Sequence, residues 1–339
     1  MLDSVRPAPY NKYRAFVIRV ANPKKFILLF RNLLSLTLLE KCGIMLEPQE
    51  GLASQDVVKA AKMAERLGFG YVLRSDHLLP TSGRRGIDSP ECWTTLGAIA
   101  VSTSNIKFGP LVSPIGFRNP ALLARMALTI HSLSSGRLQL GLGMGWYEDE
   151  YRAFGFEFPG FKIRKEQLLE GLKIIHGLTR EGYVEFNGKH FYAKAKINSQ
   201  LANIPLVIGG KSISLVKSAS SLADEWNLLA PSKEELFNIK QNLSSGKLIS
   251  QMGPFIIGED ESEIRRKVVS RMNALSIQST PEEYLKRLES RNAIIGTPEQ
   301  FAEKLSDRIT WGIEKFYFQT MEPLDEETIA LLASTLKEM

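Results

Sequence analysis

From Lys41 onward, short apolar runs alternate with amphipathic stretches at a spacing of roughly 30 residues, the length of a strand–helix–strand unit. Cys42–Leu46 reads as a buried strand ending at Glu47-Pro48. Ser54 is placed to cap a helix with the apolar face Val57, Val58, Ala61, Ala64 and Leu67, and Gly68 stands where helices stop. Phe69–Leu73 is a second strand, closed by Ser75-Asp76-His77. A helix is predicted over 93–103 and a third strand over Ile106–Val112. Asn119-Pro120 supplies a cap and a first-turn proline for a helix running to Leu133.

The run Ser134 to Trp146 then anchors the chain. Leu138, Leu140 and Leu142 alternate as a strand does, and Gly141, Gly143 and Gly145 bring backbone amides close to whatever lies above the strand end. Taken alone, G-x-G-x-G after a strand is equally a tight turn. It is not the dinucleotide fingerprint, whose third glycine falls one residue later. Beyond it, 162–178 is helical, and Tyr183–Tyr192 reads as a small hairpin turning at Asn187-Gly188. Ile204–Ile208, Glu225–Leu229, Phe255–Ile257 and Gly312–Gln319 are the remaining strands, and a helix from Asp325 closes the chain. The pattern predicts an α/β fold, a TIM (β/α)8 barrel with a small hairpin insertion before the fifth strand. A doubly wound open sheet is the alternative.

The net charge of +6 suggests an acidic partner until it is located. Eight of the 43 Lys/Arg but only two of the 37 Asp/Glu lie in residues 1–41, so this segment carries the whole excess and the rest is balanced. The body therefore gives no bulk signal for nucleic acid. Residues 1–40 are expected to form a basic extension outside the fold, untranslated if the native start lies later, and 41–339 the barrel domain. The apolar run Phe26–Leu39 reads as a surface helix or a crude targeting signal. No run is long enough to span a membrane, and two cysteines are too few for a disulfide scaffold, so a reduced, cytoplasmic setting is expected.

In a barrel the chemistry sits on the loops after the strands. His77 there can exchange a proton near neutral pH, and Asp76 beside it can fix its tautomer; an isolated Asp-His serves as well to cap the next segment. Glu47 ends the first strand and is either a second proton site or a solvated turn residue. Gly209-Gly210-Lys211-Ser212 reads as a phosphate cradle or as a plain turn. Trp146, Tyr147, Phe154 and Phe156 suit either an apolar pocket or the core. A metal site is not expected, because His131, His176 and His190 fall on helices and the hairpin and no H-x-H occurs.

Several stretches in order resemble the luciferase-like monooxygenase superfamily of bacterial-luciferase-type barrels. They are Gly43 to Pro48, Ala64 to Phe69, Ser75-Asp76-His77-Leu78, Phe117 to Pro120, Leu133 to Trp146 with Glu148 and Tyr151, Pro205 to Gly210, and Gly296 to Glu299. The resemblance covers Lys41 to Pro323. It implies a flavin-type ring over the barrel mouth, and the Ser-Asp-His-Leu form resembles the branch using the deazaflavin coenzyme F420 rather than FMN. In that branch residues matching Asp76 and His77 lie near the ring. The matching segment Gly109 to Ser113, with Leu111 and Val112, carries a bulge with a non-prolyl cis peptide behind the ring. Pro110 departs from the pattern and leaves the place of that bond open. The resemblance further implies that Gly143, Met144, Gly145, Gly209, Gly210 and Lys211 hold the phosphate tail. The function implied is hydride transfer between F420 and a small organic substrate, with His77 handling the proton. The alternatives are an FMN-dependent monooxygenase served by a flavin reductase, and a non-catalytic flavin-binding barrel. A homodimer is expected from the family.

Overall fold

The computed structural model describes residues 37–84, 86–197 and 202–339. The expected N-terminal extension therefore lies outside the described residues as far as residue 36, including the start of the Phe26–Leu39 run. Several strands of the body alternate, with apolar side chains on both faces. Ile44 and Leu46 point outward into the layer between sheet and helices, while Met45 points inward. Val72 lies outward between the inward Tyr71 and Leu73, and Phe316 and Phe318 lie outward on either side of the inward Tyr317. Burial on both faces is what a parallel sheet wrapped by helices requires.

Among the described residues the ring of parallel strands is β1 (Cys42–Leu46), β2 (Tyr71–Arg74), β3 (Lys107–Pro110, resuming at Ser113–Pro114), β4 (Leu140–Gly143), β5 (Leu206–Gly209), β6 (Glu225–Leu229), β7 (Leu248–Ile257) and β8 (Lys315–Thr320). Each pairs with the next, and β8 pairs back onto β1. The seam between β3 and β4 closes through Ser113–Leu142, Pro114–Gly143 and an isolated bridge from Phe108 to Leu138. The sheet is thus a (β/α)8 barrel, and the open-sheet alternative falls. Its interior is filled by Met45, Tyr71, Leu73, Leu111, Val207 and Tyr317.

Several boundaries move for identifiable reasons. β7 begins at Leu248, not near Phe255; Ser250, Gln251, Gly253 and Pro254 interrupt its apolar run and hide its start in the sequence. Ser250 is buried there, accepting from Asn227 Nδ2 at 2.8 Å, and Gln251 accepts from Arg308 at 3.2 Å. A short strand, Ile294–Gly296, pairs with the end of β7 outside the ring. The hairpin pairs Tyr183–Asn187 with Tyr192–Lys196, so its second arm starts where the predicted one ended. Ser54 is the first residue of its helix and Ala53 the cap, whereas Asn119 caps the helix Pro120–Leu133 as expected, accepting from Ala121 and Leu122. The described body begins at Leu38, and Leu39 is buried in the outer core.

The β3–β4 seam needs glycine. A Cβ on Gly109 would stand 1.9 Å from the Gln139 carbonyl oxygen, and one on Gly141 2.1 Å from that of Pro110. Both obstacles are backbone and cannot swing aside. Gly97, inside the helix Cys92–Ser102, faces nothing within 4 Å. Gly109→Ala is expected to lose about 3 kcal/mol of unfolding free energy and Gly97→Ala to gain about 0.5–1 kcal/mol. Urea unfolding midpoints check both, and equal midpoints would overturn the account of the seam.

Candidate functional site

The carboxyl ends of the strands enclose a cavity of about 500 Å³. Met45, Leu111, Val112 and Met252 give it apolar surface, and Glu47, Asp76, His77 and Glu150 give it titratable groups. Glu47, Asp76 and His77 all line it, as do Leu111, Val112, Gly145, Gly209, Gly210 and Lys211.

His77 follows β2 and is held by Glu150, from the helix Glu148–Ala153. Its Nδ1 lies 3.0 and 3.1 Å from the two carboxylate oxygens, and the backbone N–H of Leu78 donates to the same carboxylate at 2.9 Å. Glu150 is fully buried. A carboxylate can only accept, so Nδ1 carries the hydrogen and Nε2 is the nitrogen left to exchange a proton. Burial alone would lower the His77 pKa. The hydrogen bond to Glu150 and the charges of Glu150, Glu47 and Asp76 outweigh it, and the pKa is raised. The Trp146 ring stands edge-on to His77 at 5.6 Å and also lines the cavity.

Asp76 has other partners, although it adjoins His77 in sequence. Arg118 grips its two oxygens at 2.6 and 3.2 Å, and Ser113 Oγ donates to it at 2.6 Å while accepting from Trp93 Nε1 at 3.0 Å. Arg118 reaches on to Glu91 at 2.5 Å. The partner expected for His77 is therefore replaced by Glu150, and Asp76 is the keystone of a buried ion pair. Glu47 is buried without a cationic partner among the described residues. Its oxygens accept from Gln319 at 2.6 Å and from Gln49 at 2.7 Å, and Gln49 in turn accepts from Ser75 at 2.5 Å.

Four of the expected cofactor residues do not line the cavity. Gly109 serves the backbone seam, and Ser113 spends its hydroxyl on Asp76 and Trp93. Gly143 leaves room for Val112, since a Cβ would meet Val112 Cγ2 at 2.5 Å, and Met144 packs on the outer core. Gly145, at φ +76°, leaves room for Tyr151 Oη, 2.0 Å from where its Cβ would be. The glycines of the anchor run thus make way for protein neighbours, and Gly145 lines the cavity as well. A non-prolyl cis peptide joins Leu111 to Val112 at the break in β3. At the expected phosphate cradle Gly210 N–H donates to Asn227 O, Lys211 pairs with Glu235 at 2.8 Å, and Ser212 Oγ accepts from the N–H of Leu215.

Of the four aromatics, Trp146 lines the cavity. Tyr147 stacks on Trp146, Phe156 stacks on Phe117, and Phe154 lies exposed on another face. Among the described residues no group of three or more His, Cys, Asp or Glu is placed to hold a metal, and no helix is long and apolar enough to cross a membrane. Glu150, Arg118 and Glu91 escaped the sequence reading. Glu150 lies four residues after Trp146 in the anchor run, and Arg118 lies in the Phe-Arg-Asn-Pro stretch; their acidic and basic character was the available signal.

The closed barrel thus carries an apolar wall, a cis-peptide break in β3 and a carboxylate-held histidine at its mouth. The chain is a member of the luciferase-like monooxygenase family, whose model matches residues 41–315. It is 31% identical over 194 residues to an F420-dependent glucose-6-phosphate dehydrogenase of Amycolatopsis mediterranei, covering 56% of this chain and 58% of that one. It is 32% identical over 177 residues to pyrimidine monooxygenase RutA of Acinetobacter baylyi, covering 49% and 46%. The matches thus span about half the length of these curated relatives. In fold it is similar to an F420-dependent secondary alcohol dehydrogenase solved with an F420-acetone adduct, with TM-score 0.70, 18% identity and 86% and 98% coverage.

Because the folded pKa of His77 is raised, its proton contributes stability that is complete below the unfolded value of about 6.5 and is lost as pH rises through the folded value. An NMR titration of the His77 ring is expected to give a midpoint above about 6.5. In Glu150→Gln the midpoint should fall, because burial remains and the facing charge is gone. Identical midpoints would show that Glu150 does not set the charge of His77.

Proposed function

We propose that the protein is an oxidoreductase that transfers a hydride between coenzyme F420 and a small organic substrate. The observation that carries this is His77, fixed at Nδ1 by Glu150 with Nε2 left to a cavity that also has the Leu111–Val112 wall. The volume of about 500 Å³ and the mix of apolar wall and few polar groups suit a flat heteroaromatic ring. When bound, the deazaflavin supplies the hydride chemistry. The residues of this chain then have three tasks. Leu111, Val112 and Met252 keep water from one side of the cavity. Asp76, neutralised by Arg118, ties the β2 end to the broken β3 and keeps the wall in place. His77 moves the proton that accompanies the hydride. Its raised pKa favours the protonated form, which suits donation from Nε2 to the oxygen or nitrogen of a substrate being reduced. Glu47 is the second proton site.

A second reading, an FMN-dependent monooxygenase needing a separate flavin reductase, has the similarity to pyrimidine monooxygenase RutA on its side. Fluorescence titration of the protein with F420 and with FMN decides between them. Saturable quenching of F420 with FMN binding at least about tenfold weaker (1.4 kcal/mol) is the expected result. Tighter FMN binding would replace hydride transfer with oxygen chemistry, and binding of neither would remove both cofactors. In the F420 case, His77→Ala should slow turnover by about 10²–10⁴-fold while F420 affinity stays within a few-fold.

A further inference from the structure

One polar side chain of the central cavity has no task in the proton chemistry of His77. Asn227 stands in the middle of β6, whose inward positions are Glu225, Asn227 and Leu229, since Trp226 and Leu228 pack in the outer core. It lines the cavity and is only 4% exposed. Its Nδ2 donates to Ser250 Oγ on β7 at 2.8 Å, and Ser250 is itself fully buried. The second N–H and the oxygen of the carboxamide have no protein partner among the described residues. β6 and β2 lie four places apart in the ring of eight strands, so Asn227 faces the cavity from the side opposite His77.

A buried amide left without partners is costly, and a ligand that completes its hydrogen bonds recovers that cost. The group it would take follows from what Asn227 offers. The carboxamide presents a donor and an acceptor in one plane, held by Ser250, and carries no charge. Met45, Leu111, Val112 and Met252 in the same wall offer no counter-charge to an ion. A lone carbonyl would answer only the N–H. A lactam edge, an N–H beside a C=O in a flat ring, answers both donor and acceptor. We propose that Asn227, fixed by Ser250, is a specificity-determining residue that hydrogen-bonds the lactam edge of the ring bound in the cavity. Deazaflavin and flavin rings carry such an edge, and so do pyrimidinedione substrates. The proposal rests on the cavity being the ligand site of the proposed function, whichever ring fills it.

The test is titration of the full chain with rings that keep or lack the lactam N–H, read by fluorescence and NMR. Deazariboflavin and riboflavin stand for the coenzyme cores, each compared with its N3-methyl derivative. N1-methyluracil, compared with its N1,N3-dimethyl counterpart, stands for a substrate. In at least one pair, N3-methylation should weaken binding by at least about tenfold. The side-chain amide signal of Asn227 should shift with the N–H member and not with its methylated partner at equal concentration. Asn227→Leu should abolish the preference. That variant leaves Ser250 without a partner, so Asn227→Leu/Ser250→Ala, which makes both positions apolar, is the second variant and should lose the preference too. Discrimination by a core assigns the edge to the coenzyme; discrimination by the uracil pair alone assigns it to the substrate. No discrimination by any pair, or a preference that survives in both variants, would overturn the proposal. A wild type that binds neither F420 nor FMN yet distinguishes the uracils would remove the coenzymes and keep the role of Asn227, so the two failures are read apart.

Discussion

The structure depends on one close approach, the backbone of β3 against that of β4. Eight parallel strands can form a ring only if every neighbour pairs, and β3 is broken between Pro110 and Ser113. The ring nevertheless closes there, because Gly109 and Gly141 let carbonyl oxygens come to where a Cβ would stand. The break turns Leu111 and Val112 toward the cavity and brings Ser113 Oγ under Asp76. The site's apolar wall and its buried ion pair are therefore consequences of how the barrel closes. Glycines in such a seam are dictated by packing before any ligand is considered.

The second constraint is electrostatic. Three carboxylates face one small cavity, an arrangement that burial opposes unless each is compensated. Each is compensated differently. Asp76 has a full counter-charge in Arg118, Glu47 has amide donors from Gln49 and Gln319, and Glu150 has His77 and a backbone N–H. Removing one member of a buried pair such as Asp76–Arg118 costs about 3–5 kcal/mol, so that pair is a fixture of the scaffold. The Glu150–His77 pair is different in kind, because its strength changes with a single proton.

The barrel was legible because each strand is a short apolar run and each helix has a single apolar face. The cap at Asn119 follows from a local rule and holds, whereas the one expected at Ser54 falls one residue earlier, at Ala53. β7 was not legible in its first half, where Ser250, Gln251 and Pro254 face partners supplied by β6, β8 and a helix. At the site, Glu47, Asp76 and His77 could be named because they end strands. Their pairing could not: Glu150 is 73 residues from His77, and Arg118 is 42 from Asp76. Adjacency suggested Asp76 for His77, but Arg118 and Ser113 take the Asp76 oxygens and Glu150 reaches His77 instead. Tertiary pairing is invisible to spacing alone.

Charge gives the same lesson on a larger scale. The basic excess falls in residues 1–41, and the body sums to neutrality. Neutral in sum is not neutral in place. The body carries carboxylates around His77 and, along a neighbouring groove, the arginines Arg271, Arg287 and Arg291, and these cancel in any count. They do not cancel locally, because the field at a point depends on the distance to each charge and on how far water screens it. A count of charges therefore says nothing about the field at any one place in the body, which is set by where each group lies and what faces it.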